Sequence, residues 1–160
     1  MPSPIGHALG GAIVGLLMTP LGRDVAIVAA AACAPDIDFA WGRHNRETHS
    51  LFAAVVAGFL VWLATRRPRL ALACALAWTS HVLFDWLGSD DSPPLGVMAL
   101  WPFTSNFYFA EAYVFEAISR RYAEPGFWEQ NTWALVKELL MLLPPAALLW
   151  FWRQRETRRS

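Results

Sequence analysis

The chain has 160 residues, enough for one domain that buries its own core, and it is read as a single helical unit spanning residues 1–160. Hydrophobic residues make up 56%, nine residues are tryptophan and only 16% are charged, against roughly 25% charged in a soluble domain, which points toward a membrane. The formal net charge is zero, so no global basic field recruits nucleic acid and no nucleic-acid partner is expected.

Residues 5–18, IGHALGGAIVGLLM, predict an apolar helix in which Gly6, Gly10, Gly11 and Gly15 allow a neighbour to pack closely. The preceding residues lack the basic region of a cleavable signal peptide, so the chain is expected to meet the membrane as mature protein. Thr19-Pro20-Leu21-Gly22 ends the first helix, and a second runs over 25–34, with Asp24 as an early-turn acid and Pro35 as its stop. A third apolar helix, 51–65, lies between HNRETHS at 44–50 and RRPR at 66–69; a fourth covers 70–87 and carries TSHVLFDW. Pro93-Pro94 and Trp101-Pro102 argue against any regular element in 88–109. A short amphipathic helix is expected near 111–121, and a last helix over 133–152 should kink at Pro144-Pro145. Cys33 and Cys74 lie in alanine-rich apolar runs without CxxC spacing and read as small buried hydrophobes. With no strand-like alternation the class is all-α, a membrane-embedded bundle of about five helices.

A membrane span needs about 20 apolar residues, a length that only the fourth and last segments reach, so hydropathy alone leaves a soluble bundle as the alternative. Charge sorting favours the membrane. If consecutive helices alternate in direction, Arg23, Arg66, Arg67, Arg69, Arg153, Arg155, Arg158 and Arg159 share one end; Arg43, Arg46, Arg120 and Arg121 fall at the other, and Lys137 lies within the last helix. The positive-inside rule makes the arginine-rich end cytoplasmic in a multi-pass inner-membrane protein.

The same alternation gathers all four histidines at the opposite, extracytoplasmic end, together with Asp36, Asp38 and Asp85. Hydrophobic packing does not require this, and ionisable groups near membrane depth usually mark a site. His81 and Asp85 are i and i+4, so imidazole and carboxylate share one helix face and can grip one cation. Asp36 and Asp38 flank Ile37 in an expected turn after Pro35, where one carboxylate can bind metal while the other orients a histidine; a helix cap or loop acid is the plain alternative for Asp38. Spacing alone does not assign His44 and His49. Nitrogen and oxygen donors without sulfur suit a divalent metal, zinc first, with manganese or iron as alternatives.

The ordered set GH at 6–7, PDID at 35–38, HNRETHS at 44–50, SHVLFDW at 80–86 and GVMALWP at 96–102 resembles the YdjM-type family of inner-membrane metal-dependent hydrolases, also called LexA-binding membrane-associated hydrolases. The likeness covers roughly the first 110 residues. Members typically show His-Arg-Gly-x-Thr-His-Ser; here Asn45 and Arg46 stand in place of its arginine and glycine, which keeps both histidines and displaces the arginine. The order of His, Asp, His and HxxxD is more distantly similar to zinc-dependent phospholipase C and its nuclease relatives, phosphoesterases with several zinc ions.

The expected activity is metal-dependent hydrolysis of a small-molecule or lipid ester or phosphoester. His7, Asp36, His49, His81 and Asp85 are the expected ligands, and five exceed one open tetrahedral site, so one or two ions are expected. Asp38 or His44 would act as base or orienting group. Arg46 would hold an anionic substrate group, against the alternative of a solvated or headgroup-facing charge. Ser50 and Ser80 lie beside histidines, but no oxyanion hole accompanies them, and Glu47 reads as a first-turn acid of the third helix. Two other classes stay open: a non-catalytic protein whose cation ties helix ends together, and a protein that binds a partner at its cytoplasmic face.

Overall fold

The computed structural model describes residues 1–42, 44–91 and 93–159; Arg43 of the charge sorting lies outside the described residues. Among these residues the chain is helical, with five α-helices and no strand: α1 (Pro4–Met18), α2 (Arg23–Cys33), α3 (Leu51–Thr65), α4 (Pro68–Trp86) and α5 (Phe127–Arg159). The starts follow local chemistry. Ser3 caps α1, its hydroxyl accepting from Gly6 N at 3.1 Å, with Pro4 in the first turn, where a missing N–H costs nothing. Ser50 caps α3 through Ala53 N at 3.0 Å, and Pro68 opens α4.

Four expectations change. The segment after Pro35 is a 3-10 helix, Ala34–Trp41, not a simple turn. Glu47 belongs to a second 3-10 helix, Glu47–His49, ahead of α3. Residues 111–121 form no helix, because their amides are taken by distant acceptors: Val114 N donates to Leu87 O at 2.7 Å, Ile118 N to Met1 O at 3.1 Å and Ser119 N to Asn131 Oδ1 at 2.8 Å. The last helix is longer than expected and continues through Pro144 and Pro145. Segment 88–109 has only the isolated bridges Gly88–Phe115 and Val97–Tyr108, in keeping with its prolines.

The helices alternate in direction. α2 and α4 cross over a core of Val28, Ala32, Leu70, Ala73, Cys74 and Ala77, joined by Val14 of α1 and Val61 of α3. Cys74 is buried as expected; Cys33 is half-buried, its thiol donating to Pro4 O at 3.4 Å. α1 sits close against α2 because Gly11 has no side chain: a Cβ there would lie 2.5 Å from the Ala32 methyl and 2.9 Å from backbone atoms of Val28 and Ala29. Gly11→Leu is therefore expected to lower stability by about 1–3 kcal/mol through overpacking, read as a drop in the thermal unfolding midpoint in detergent.

At one end Thr19, Asp24, Arg66, Arg67, Arg69 and Arg153 line a cavity of about 600 Å³. Arg67 grips Asp24 there with both guanidinium nitrogens, and Arg153 donates to Thr19 O at 2.9 Å. Among the described residues one helix, α5, is long and apolar enough to cross a membrane; α4 does not qualify, and α1 and α3 are shorter apolar helices. The starts of α1 and α3 and the ends of α2 and α4 meet at the opposite end.

Candidate metal centre

Four segments deliver the site. His7 lies one turn into α1, Asp36 and Asp38 on the 3-10 helix after α2, His44 and His49 in the loop and 3-10 helix before α3, and His81 and Asp85 in the last turns of α4. Trp78 Nε1 donates to Thr48 O at 2.8 Å, which holds the HNRETHS segment against α4, and His49 N donates to Arg46 O at 2.9 Å within the segment. Asn45 adopts the left-handed conformation, φ 69°, which asparagine tolerates, while its carbonyl accepts from Met98 N at 3.0 Å.

The centre is a compact set of opposed donor atoms. His49 Nε2 and His81 Nε2 are 3.0 Å apart, and Asp85 Oδ2 lies 2.9 Å from the latter and 3.4 Å from the former. Asp36 Oδ1 is 3.6 Å from each imidazole nitrogen. Ligands at ~2.0–2.1 Å around a tetrahedral ion stand roughly 3.3 Å from one another, so these separations suit one cation. His7 flanks the group, stacked on His81 at 3.7 Å with Nε2 3.3 Å from Asp85 Oδ1. Three triads bring their donor atoms within 4.8 Å of one another and could each hold a cation: His7 with Asp36 and His81; Asp36 with His44 and His49; and His49 with His81 and Asp85.

Hydrogen bonds behind the centre fix which nitrogen faces it. His81 Nδ1–H donates to Ala32 O at 2.7 Å, so its Nε2 carries the lone pair. His49 Nδ1 is 3.1 Å from Asp38 Oδ2 and 3.0 Å from Thr48 Oγ1, which turns its Nε2 toward the centre. Asp38 also accepts from His44 Nδ1 at 2.8 Å and from the Thr48 hydroxyl at 2.6 Å. It is no helix cap. Burial by itself would raise the Asp36 and Asp38 carboxyls and lower the His49 imidazole; the hydrogen bonds among them outweigh burial, holding both carboxyls below the ordinary range and raising His49 to about 9. A proton thus serves as counter-charge where a cation can bind, and cation entry must release it.

The donor set fits a divalent metal. Asp85 Oδ2 and His7 Nδ1 are buried without a hydrogen-bond partner, a costly state that a cation relieves at the carboxylate. All five expected ligands converge, with His44 and Asp38 beside them. Arg46 stands apart, its guanidinium 5.9 Å from the Phe107 ring, in a neighbouring cavity that it shares with His44 and Asp90.

The YdjM inner membrane protein family matches residues 1–157. The chain belongs to that family. No curated protein and no solved structure matches. In this YdjM-family chain the motif histidines and the HxxxD pair are the residues that converge.

Several participants escape sequence reasoning. Thr48 sits inside the quoted motif and would be found by asking what fixes the His49 tautomer. Glu138 is signalled by a lone acid within the apolar run ALVKELLMLL: it is 1% exposed and accepts from Ser3 N at 2.7 Å and from the Ser3 hydroxyl, pinning the start of α1 near His7. The Ala32 carbonyl carries no sequence signal. Asp38→Asn, which turns an acceptor of three hydrogen bonds into a weaker and partly donating group, is expected to weaken metal binding about 10- to 100-fold, measured by competition with a fluorescent chelator.

Proposed function

We propose that this protein is a membrane-bound metal-dependent hydrolase acting on an ester or phosphoester. The observation that carries this reading is the quartet of buried His49 Nε2, His81 Nε2 and Asp85 Oδ2 with partly exposed Asp36 Oδ1, with contacts of 2.9–3.6 Å and an Asp85 oxygen that lacks any hydrogen-bond donor. A divalent metal, zinc by its nitrogen and oxygen donors, would be held there and supplies an acidified water and polarisation of the scissile bond. His7 and His44 extend the donor set toward a second ion. Asp38, occupied by three hydrogen bonds and held ionised, acts as a positioning residue for His49 and His44. His44 gives its Nδ1–H to Asp38 and so keeps Nε2 as proton acceptor, on a ring that lines both cavities beside the centre.

The bundle lies in the inner membrane, with the arginine cavity cytoplasmic and the metal centre at the extracytoplasmic surface, beside lipid or a small ester substrate. Support comes from the family description, from the outward faces of α5 (Leu140, Leu148 and Phe151 exposed) and α3 (Val55, Phe59 and Leu60 exposed), and from the alternating helices. Reporter fusions after Arg159 and in the loop near Asp91 should report opposite sides; a shared side removes this topology.

Elemental analysis of wild type against His81→Ala, followed by a screen of phosphoesters and carboxyesters, tests the function. Metal in the wild type alone, with activity lost to chelator and restored by added zinc, is the expected result. If chelation instead sharply lowers the unfolding midpoint and no substrate emerges, the cation is a clamp between the four segments that hold it. Metal-free protein of full stability and full activity excludes both.

A further inference from the structure

A cavity of about 200 Å³ opens on the centre, lined by His7, Asp36, His44, Asp85, Phe39 and Arg120. A second, of about 170 Å³, shares His44 and Arg120 and adds Arg46 and Asp90. Arg120 therefore stands where the two openings meet. Its guanidinium carbon is 4.3 Å from the centroid of Phe39, whose ring stacks on His44 at 3.7 Å. This stack holds a rotamer-rich side chain in one place and lowers the entropy lost when it binds.

Charge decides what such a group is for. The ionisable lining of the first cavity is His7, Asp36, His44, Asp85, Arg120 and the amino terminus of Met1, whose ammonium is engaged by Ser89 O. With a dication against the two carboxylates, their charge is neutralised and Arg120 is left as the permanent positive group at the mouth. A neutral carboxylic ester has no anionic oxygen for it. A phosphoester has, and the planar guanidinium fork matches phosphoryl oxygens. The cavity is smaller than the roughly 300–1,000 Å³ of sites that enclose a drug-sized ligand, so it admits the reacting group while the rest of the substrate stays outside. Arg46, the arginine that the motif suggests, lines only the second cavity, beside Asp90.

We infer that Arg120 is the anion-holding residue of the site and that the substrate is a phosphoester. This rests on the metal-dependent hydrolase reading. The test loads full-length wild type, Arg120→Ala, Arg120→Lys and Arg46→Ala with zinc in detergent, measures zinc content, and titrates inorganic phosphate by calorimetry. All four proteins should hold zinc. Phosphate affinity should fall about 10- to 100-fold in Arg120→Ala, the worth of a hydrogen bond to a charged group. It should fall less in Arg120→Lys, which keeps the charge and loses the fork, and less again in Arg46→Ala. Zinc-loaded wild type that ignores phosphate, an Arg120→Ala variant that binds it as tightly as wild type, or a larger loss in Arg46→Ala than in Arg120→Ala overturns the inference alone. Wild type that fails to hold zinc overturns the hydrolase reading and this inference with it.

Discussion

Asp85→Ala is expected to leave purification with less than about a tenth of the wild-type metal and with hydrolysis reduced at least about 100-fold. Its Oδ2 lies 2.9 Å from His81 Nε2 and 3.4 Å from His49 Nε2, and Oδ1 lies 3.3 Å from His7 Nε2, so one carboxylate touches three imidazoles. Removing it takes away a candidate ligand and also the negative charge that would balance a dication among buried imidazoles, where each unit charge counts for more than at the surface. Ser50→Ala is the matched control in the neighbouring motif. The Ser50 hydroxyl donates to Glu47 O at 2.8 Å and accepts from Ala53 N, so its loss costs a helix cap of about 1 kcal/mol and leaves the metal in place. Elemental analysis of both variants decides the matter, and stoichiometric metal in Asp85→Ala removes this carboxylate from the ligand set.

Glu138→Ala is expected to destabilise the fold by about 2–4 kcal/mol, through the two hydrogen bonds lost to buried Ser3 and the void left behind. Both Glu138 oxygens are used, one by Ser3 N at 2.7 Å and the other by the Ser3 hydroxyl, and Ser3 in turn caps α1. Deletion strands a buried amide and leaves a void where α5 meets α1. Glu138→Gln keeps an acceptor oxygen and should lose roughly 1–2 kcal/mol. Unfolding in detergent reads both. Because His7 follows Ser3 by one helical turn, Glu138→Ala should also weaken metal binding; equal stability of Ala and Gln variants would show that the buried acid does not hold α1.

Where the controlling forces are local, structure was legible from residue order. Ser50 and the RRPR break delimit α3 at Leu51–Thr65 as expected, because capping and chain breaking act within a turn. HxxxD placed His81 and Asp85 on one face because helical period alone sets that geometry. The alternation of short apolar segments was enough to bring four histidines to one end, and the ordered motifs were enough to indicate the family. Tertiary structure decided the rest. Residues 111–121 have a helix-compatible composition, yet their amides bond to Met1, Leu87 and Asn131, partners that the fold alone brings near. The tautomers of His49 and His81 depend on Asp38, Thr48 and a backbone carbonyl from α2, and the mouth of the centre depends on Arg120, 71 residues along the chain from His49. Helix propensity, capping and side-chain period decay within a few residues. Hydrogen-bond saturation and charge balance at a buried centre are properties of groups brought together from far apart, and they exist only once the chain has closed.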